Sequence, residues 1–389
     1  MLKKLAIITS HPIQYNAPWF KLLTDRNKIS IKVFYTWNNT LKGPKYDPGF
    51  GRNIEWDIPL LNGYDYTFVE NTAKDPGSHH FLGLVNPGLN RQVQEWKPDA
   101  VLVFGWAFKS HLNALRYFHS KVPVFFRGDS TLLDETGGIK KFIKNAILTW
   151  VYSNVDYAFF VGANNKAYYK QFGKKEKSLW FVPHAIDNDR FADLDGGFHK
   201  QAAAWRDQLG IAKDDFVFLF AGKFEPKKNP RLLIEAFLQS ALPGAHLVLV
   251  GNGEQETMLK ELAANRTTVH FMDFKNQSLM PAVYYMCNVF VLPSQGPEET
   301  WGLAINEAMA CNKPVLASNK CGGSIDLIKN GINGYMFKSG EKLELKDKMK
   351  ILFDQKHQLE QMGRHSREII QEYSFTNICE RIELLLHKI

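Results

Sequence analysis

Short, mostly apolar runs recur along the whole chain, each closed by a glycine turn or by a segment of helical pattern. In the first half they are residues 5–9 (LAIIT), 31–35 (IKVFY), 100–104 (AVLVF), 122–126 (VPVFF) and 157–161 (YAFFV). In the second half they are 216–220 (FVFLF), 246–250 (HLVLV), 269–271 (VHF), 289–292 (VFVL) and 314–318 (PVLAS). Runs of this length without polar alternation are buried on both faces, which is how strands of a parallel sheet read. Helical segments between them, near 19–23, up to 115 and over 198–209, complete βαβ units. The fold class is therefore α/β, with two similar doubly wound halves. A chain of 389 residues also exceeds what one ordinary core holds. The expected domains are 1–190, 191–373 and a C-terminal piece, 374–389, whose helix over about 376–387 returns to the first domain. The Gly-, Pro- and Lys-rich stretch 38–53 and the stretch 71–88 read as long loops, which in compact domains are often functional.

Composition excludes several classes. At 45% apolar and 23% charged residues the chain is globular and not disordered. Cys287, Cys311, Cys321 and Cys379 show no CxxC or His-paired spacing, so neither a disulfide framework nor a zinc site is expected, and a reduced, cytoplasmic setting fits them. The start, MLKKLAIITS, reads as a first strand and not as a signal peptide, and no run of about 18 apolar residues would span a bilayer. The net charge of +8 is uneven: residues 1–190 hold 25 Lys and Arg against 16 Asp and Glu, while 191–389 are close to neutral. A basic first half suits an anionic partner, and a solvated cationic surface explains it as well. Despite a pI near 9.0, no aromatic-basic motif points to nucleic acid. Residues 140–152 (KKFIKNAILTWVY) form a basic amphipathic segment that fits a helix packed on the sheet with its lysines in water; docking on a membrane surface is the alternative.

The polar residues that carry chemistry concentrate where second-half strands end. After VFVL, the turn at Gly296-Pro297 puts Glu299 on a loop, and a helix opening near Gly302 and closing at Asn312, ahead of Pro314, carries Glu307. Continuous helix would set the two carboxylates about 80° apart around its axis. With the first on the entry loop, both can face one cleft at the helix N-terminus, which grips an anion while the carboxylates take hydroxyl groups. Lys223, Lys227 and Lys228 follow FVFLF, before Asn229-Pro230 as N-cap and first helical residue. Ammonium groups at a strand's carboxyl end are placed to hold a diphosphate. Gly251 and Gly253 (VGNGE) mark a place where backbone approaches a neighbour or a ligand. Gly322 and Gly323 (CGGSID) open another helix with N–H groups toward an anion, or form a plain turn.

In combination these features resemble the retaining glycosyltransferases of family 4, glycosyl transferases group 1, with the GT-B fold. The resemblance covers the second half closely and the first half loosely. Its specific part is E-x7-E, Glu299 to Glu307, followed by the Gly322-Gly323 pair. It implies two Rossmann-like domains facing a central cleft. It also implies transfer of a sugar, with retention, from a nucleoside-diphosphate-sugar donor to a hydroxyl of a glycan or lipid-linked acceptor, as in cell-surface polysaccharide or glycolipid synthesis, with no metal and no other cofactor. Carried over residue by residue, Glu299 meets donor-sugar hydroxyls and Glu307 the ribose. Lys223 and Lys228 hold the phosphates, with backbone of Gly302, Leu303 and Gly323 completing the cradle. Lys223 stands where the family has Arg, and Asp326 where it has Glu. The histidine beside the reacting sugar falls on Asp129, which makes Arg127 and Asp129 candidates for its role, or else a structural Arg–Asp pair. The glycine-rich loop after the first strand is replaced by 11–15 (HPIQY), so His11, Gln14, Tyr15 and Trp106 are acceptor candidates. A sugar-nucleotide epimerase on the same scaffold, or a subunit that binds glycan or nucleotide without turnover, are the competing functions. A cytoplasmic location, peripheral at the inner face of a membrane, follows from the same reading.

Overall fold

The computed structural model describes residues 2–38, 45–47, 49–54, 57–135 and 139–389, with 45–47, 52, 54 and 139–141 described by backbone alone. The chain forms two compact units: residues 1–43, 59–184 and 375–389 in unit 1, and 44–58 and 185–374 in unit 2.

Unit 1 is built on strands β1 (Lys4–Thr9), β2 (Ser30–Tyr35), β5 (Asp65–Phe68), β6 (Ala100–Phe104), β7 (Val124–Arg127), β8 (Tyr157–Phe160) and β9 (Leu179–Phe181). Among the described residues they make a parallel sheet in the order β5-β2-β1-β6-β7-β8-β9. Ile7 in β1 stands opposite Val33 on one side and Leu102 on the other, and all three are fully buried. The hairpin β3 (Lys45–Asp47) and β4 (Arg52–Ile54) belongs to the segment grouped with unit 2. Sequence reading had a loop there and in the first half; residues 39–44 and 48 of that stretch lie outside the described residues.

Unit 2 repeats the plan with β10 (Phe216–Ala221), β11 (Ala245–Val250), β12 (Val269–Met272), β13 (Val289–Leu292), β14 (Val315–Ser318) and β15 (Gly334–Phe337), in the parallel order β12-β11-β10-β13-β14-β15. In each unit the strand order reverses beside the first strand: between β1 and β6, and between β10 and β13. Because the strands are parallel, all their outgoing loops lie at one edge, and these reversals open the crevices where α/β sheets take ligands.

The C-terminal helix Phe375–Lys388 belongs to unit 1. Arg26 donates from Nε to Glu383 Oε1 at 2.7 Å and from Nη2 to Oε2 at 2.9 Å, a two-armed grip on a carboxylate that is otherwise buried. Trp180 Nε1 donates to the carbonyl of Arg381 at 2.9 Å, and the Cys379 thiol to that of Trp19 at 3.6 Å. The three strands of the two large sheets that no apolar run announced, β5, β9 and β15, are edge strands. Asp65 and Tyr66 of β5 are exposed, so half of its pattern reads as surface.

His111 is fully buried in the helix Lys109–Phe118; its Nδ1–H donates to Phe104 O at 2.8 Å and its Nε2 pairs with Thr36 Oγ1 at 2.9 Å. Burial lowers its pKa to about 4, against the pull of the Phe104 and Gly105 carbonyls. The unfolded imidazole protonates near 6.5, so the native state loses stability as pH falls from about 6.5 to 4, by up to about 3 kcal/mol from this residue. Urea midpoints measured across that window should fall, and His111→Gln should flatten the decline.

Candidate functional site

At the β10/β13 reversal of unit 2, two loops are stitched together. After β10 the chain makes a single 3-10 turn, Pro226–Lys228, and Asn229 adopts a left-handed conformation (φ 52°). The Asn229 side chain then accepts the N–H of Leu232 to start the helix Pro230–Ser240, with Pro230 in its first turn. After β13, Gln295 N–H donates to Lys227 O at 2.8 Å, and Gln295 Nε2 to Pro226 O at 2.9 Å. This stitching brings Lys228 Nζ to 2.5 Å from Glu299 Oε2, an oxygen that also accepts from Ser294 Oγ at 3.0 Å. The Glu299 side chain is 7% exposed and that of Lys228 19%, so the pair is largely desolvated and each charge depends on the other.

The helix Leu303–Ala310 starts after Gly302 (φ 92°), and Asn312 is left-handed (φ 56°) ahead of Pro314, as the sequence predicts. Gly302 is required here: few residues with a side chain adopt that angle. Glu307, 4% exposed, accepts from Tyr284 Oη at 2.7 Å. The two carboxylates thus flank the start of one helix, Glu299 on the entry loop and Glu307 a turn inside. Leu303 is half-buried in the first turn, where Ile305 N–H donates back to Gly302 O at 2.9 Å and the Leu303 and Ala304 amides precede any intrahelical acceptor.

The glycines serve differently from the cradle expected of them. Gly322 N–H donates to Glu299 O at 2.9 Å and Gly323 N–H to Trp301 O at 2.8 Å, so both amides are engaged by main chain and not turned to an anion. Their lack of side chains permits this: a Cβ at Gly322 would lie 1.8 Å from Thr300 O, and one at Gly323 2.8 Å from the Trp301 indole. For Gly251 and Gly253 the choice between neighbour and ligand falls to the neighbour, since a Cβ would strike Gly222 O at 2.0 Å and Phe224 O at 2.6 Å. Lys223 lies beneath Phe50, its Nζ 4.9 Å from the ring centre, and Phe50 packs on Phe274 at 4.7 Å. Asp326 is in the short helix Ser324–Leu327, close enough to raise the Tyr373 hydroxyl pKa, after burial.

Sequence reading missed the residues that hold this loop in place. Trp301 Nε1 donates to Asn306 Oδ1 at 2.8 Å, with its ring between Gly323 and Tyr373, whose ring centre is 5.7 Å away. Ser294, Tyr284 and Trp301 have no motif of their own. Only the apolar setting of each, WG after the acidic pair and YY before VFVL, hints at burial. Buried Cys321 is kept a neutral thiol, its pKa raised to about 12 by desolvation and by Glu299.

In unit 1 the structure separates the paired candidates. Arg127, 4% exposed at the end of β7, donates from both guanidinium arms to main chain, Nη1 to Val182 O and Nη2 to Pro183 O, each at 2.8 Å. Burial lowers its pKa to about 10. The guanidinium is spent tying down the chain after β9, so its place is structural and not beside a reacting sugar. Asp129 stands 3.6 Å from His184 Nε2, a histidine the sequence reading passed over; burial lowers the pKa of that imidazole and Asp129 opposes the shift. His11 follows β1, its Nδ1 3.0 Å from Ser10 Oγ and its ring edge-on to Trp37 at 5.4 Å. Trp106 follows β6, across the strand reversal from His11, and packs on the core. Gln14 and Tyr15 sit half-buried in the turn before the helix Ala17–Arg26. A cavity of about 340 Å³ lies elsewhere in unit 2, at the far end of the helix that carries Glu307, lined by Tyr285, Cys311, Lys313 and Arg367 among others.

Residues 201–369, most of unit 2, match the family model described as glycosyl transferases group 1. The chain is 32% identical over 193 residues to a lipopolysaccharide 1,2-N-acetylglucosaminetransferase of Salmonella typhimurium, covering 46% of this chain and 50% of that protein. It is 30% identical to a UDP-Gal:alpha-D-GlcNAc-diphosphoundecaprenol alpha-1,3-galactosyltransferase of Escherichia coli, over 40% of each chain. The chain thus spans about half the length, or less, of these curated relatives. In fold it is similar to Anabaena HepE, crystallised with UDP and glucose, with a TM-score of 0.72 at 19% identity over 100% of both chains. The fold is two Rossmann-like α/β units of the GT-B class.

The close approach at Gly322 is directly testable. Gly322→Ala should push the 299–301 loop away and lower stability by about 2 kcal/mol, typical of an overpacked site, read as a drop in the thermal midpoint.

Proposed function

We propose that this protein is a glycosyltransferase moving a sugar from a nucleoside-diphosphate-sugar to an acceptor hydroxyl, with retention and without a metal. The observation that carries the reading is the desolvated Lys228–Glu299 pair at the strand reversal of the segment that matches the glycosyl transferases group 1 model, with Glu307 on the adjoining helix. An incoming diphosphate offers the Lys228 ammonium an alternative anion, which frees Glu299 to accept from sugar hydroxyls. Lys223 is the second cation toward the phosphates, and Glu307 takes the ribose. The leaving group is a diphosphate, so stabilising its growing charge is the main catalytic task. Lys228 and the first turn of the helix Leu303–Ala310 supply positive potential for it. Lys228→Ala should lower turnover by on the order of 10²-fold or more, the typical loss of one such contact. Sugar transfer measured by mass detection of product decides this, and unchanged turnover would remove Lys228 from the role. The same measurement separates transfer from epimerisation, which yields a changed nucleotide sugar without acceptor. A binding subunit without turnover is the second reading, favoured by Arg127 being bound to main chain and by Asp129 standing where the family has histidine.

For the acceptor we propose a glycan or a lipid-linked sugar at the carboxyl edge of the unit 1 sheet, near His11 and Trp106. Two relatives act on such chemistry by name, a lipopolysaccharide and a diphosphoundecaprenol-linked sugar. Among the described residues no helix is long and apolar enough to cross a membrane. The helix Ile139–Ser153 instead exposes Phe142, Ile143, Ile147 and Trp150 within one 140° sector, by the 100° step of an α-helix, in the more basic half of the chain. Such a face suits the surface of an anionic bilayer, at the inner side of a membrane. Flotation with vesicles containing anionic lipid at low salt should carry the protein upward, and Phe142→Ser with Trp150→Ser should leave it at the bottom. Flotation of neither protein would overturn the membrane reading.

A further inference from the structure

We propose that Asp75, His79 and His80, on the loop after β5, form a binding site for a borderline divalent metal of the zinc type. His79 Nε2 lies 3.2 Å and His80 Nε2 3.3 Å from Asp75 Oδ2, and the three ligand atoms fall within 4.8 Å of one another. Ligands about 2.0–2.1 Å from a tetrahedral zinc stand about 3.3 Å apart, so the spacing already matches an edge of that polyhedron. Two imidazoles and a carboxylate are also the donor set that selects zinc, copper, nickel or iron over magnesium or calcium. A water or a ligand oxygen would take the fourth position.

The loop is held in shape before any ion arrives. Asn71 Oδ1 accepts the N–H groups of Ala73 at 3.1 Å and Val85 at 2.9 Å, while Asn71 Nδ2 donates to Gly83 O at 2.8 Å. Gly77 N–H donates to Gly83 O at 3.1 Å, closing the turn that carries the histidines. Buried Asn86 anchors the loop's end, its Nδ2 donating to Thr36 O, Val69 O and Glu70 O, each at 2.9 Å. Gly77 makes room for the first ligand: a Cβ there would lie 2.4 Å from His79 Nδ1. A folded loop spends little ordering entropy when three ligands close on one ion, which favours tight binding. Without an ion the convergence is held by hydrogen bonds, His79 Nε2 to Asp75 Oδ2 at 3.2 Å and His80 Nε2 to the Asp75 main-chain O at 3.0 Å, and a metal would take the place of the shared protons. The site is separate from the donor residues of unit 2 and stands whether or not the proposed transfer reaction does.

Calorimetric titration of chelator-treated full-length protein with ZnCl2 tests it. One zinc per chain should bind, thermal midpoints should rise with zinc and not with MgCl2, and His79→Ala or His80→Ala should weaken binding by more than about 10-fold, the loss an outer-sphere partner causes. Gly77→Ala should weaken it too, whereas His246→Ala, in the part-buried His246–His270 pair of unit 2, should leave it unchanged. Absence of saturable one-to-one binding, or binding that survives the His79→Ala/His80→Ala double variant, overturns the proposal.

Discussion

The contact on which the site depends is the ion pair between Lys228 and Glu299. A carboxylate as buried as Glu299 is costly unless a cation and further donors meet it, and here an ammonium and the Ser294 hydroxyl share one of its oxygens. That meeting is possible because β10 and β13 are neighbours in a parallel sheet, so their outgoing loops emerge side by side. Gln295, bonded to Pro226 and Lys227, keeps the loops in register. The pair is also a poised one, because any anion that reaches the ammonium competes with Glu299 for it.

Around the pair, close backbone contact replaces side-chain packing. Gly322 and Gly323 let the turn after β14 press against residues 299–301, and Trp301 fills the space beside them. Gly251 and Gly253 do the same for the loops after β10 and β11. Such contacts fix the edge of the sheet rigidly, since neither partner is a flexible side chain that could give way. Unit 1 uses its buried polar groups in a similar way: Arg127, Asn86 and His111 satisfy main-chain carbonyls where strands end and loops begin.

Much of this was legible before any coordinates. The central strands of both sheets are continuous apolar runs, and the Glu299–Glu307 spacing with Gly302, Asn312 and Pro314 locates a loop and a helix correctly. The edge strands β5, β9 and β15 were hidden because one side of an edge is solvated and its pattern looks like surface, and β9 is only 3 residues long. The glycines could be recognised as required, but a sequence does not say whether a missing Cβ makes room for a ligand or for another piece of chain. Arg127 and Asp129 looked like partners because they are two residues apart. In the structure one faces the carbonyls after β9 and the other faces His184, a residue 55 positions downstream of Asp129.

By itself, then, the sequence determined the two series of parallel strands, the helix that carries Glu307 and the residue types gathered at strand ends. These are local properties, set by hydrophobic periodicity and backbone preference. Tertiary structure alone decided that Lys228 meets Glu299, that Tyr284 meets Glu307, that the Gly322 and Gly323 amides go to main chain, and that the C-terminal helix lies on Arg26 of unit 1. Those pairings join residues from 22 to 357 positions apart. Sheet order and loop geometry select them, and neither is written in the spacing of the residues involved.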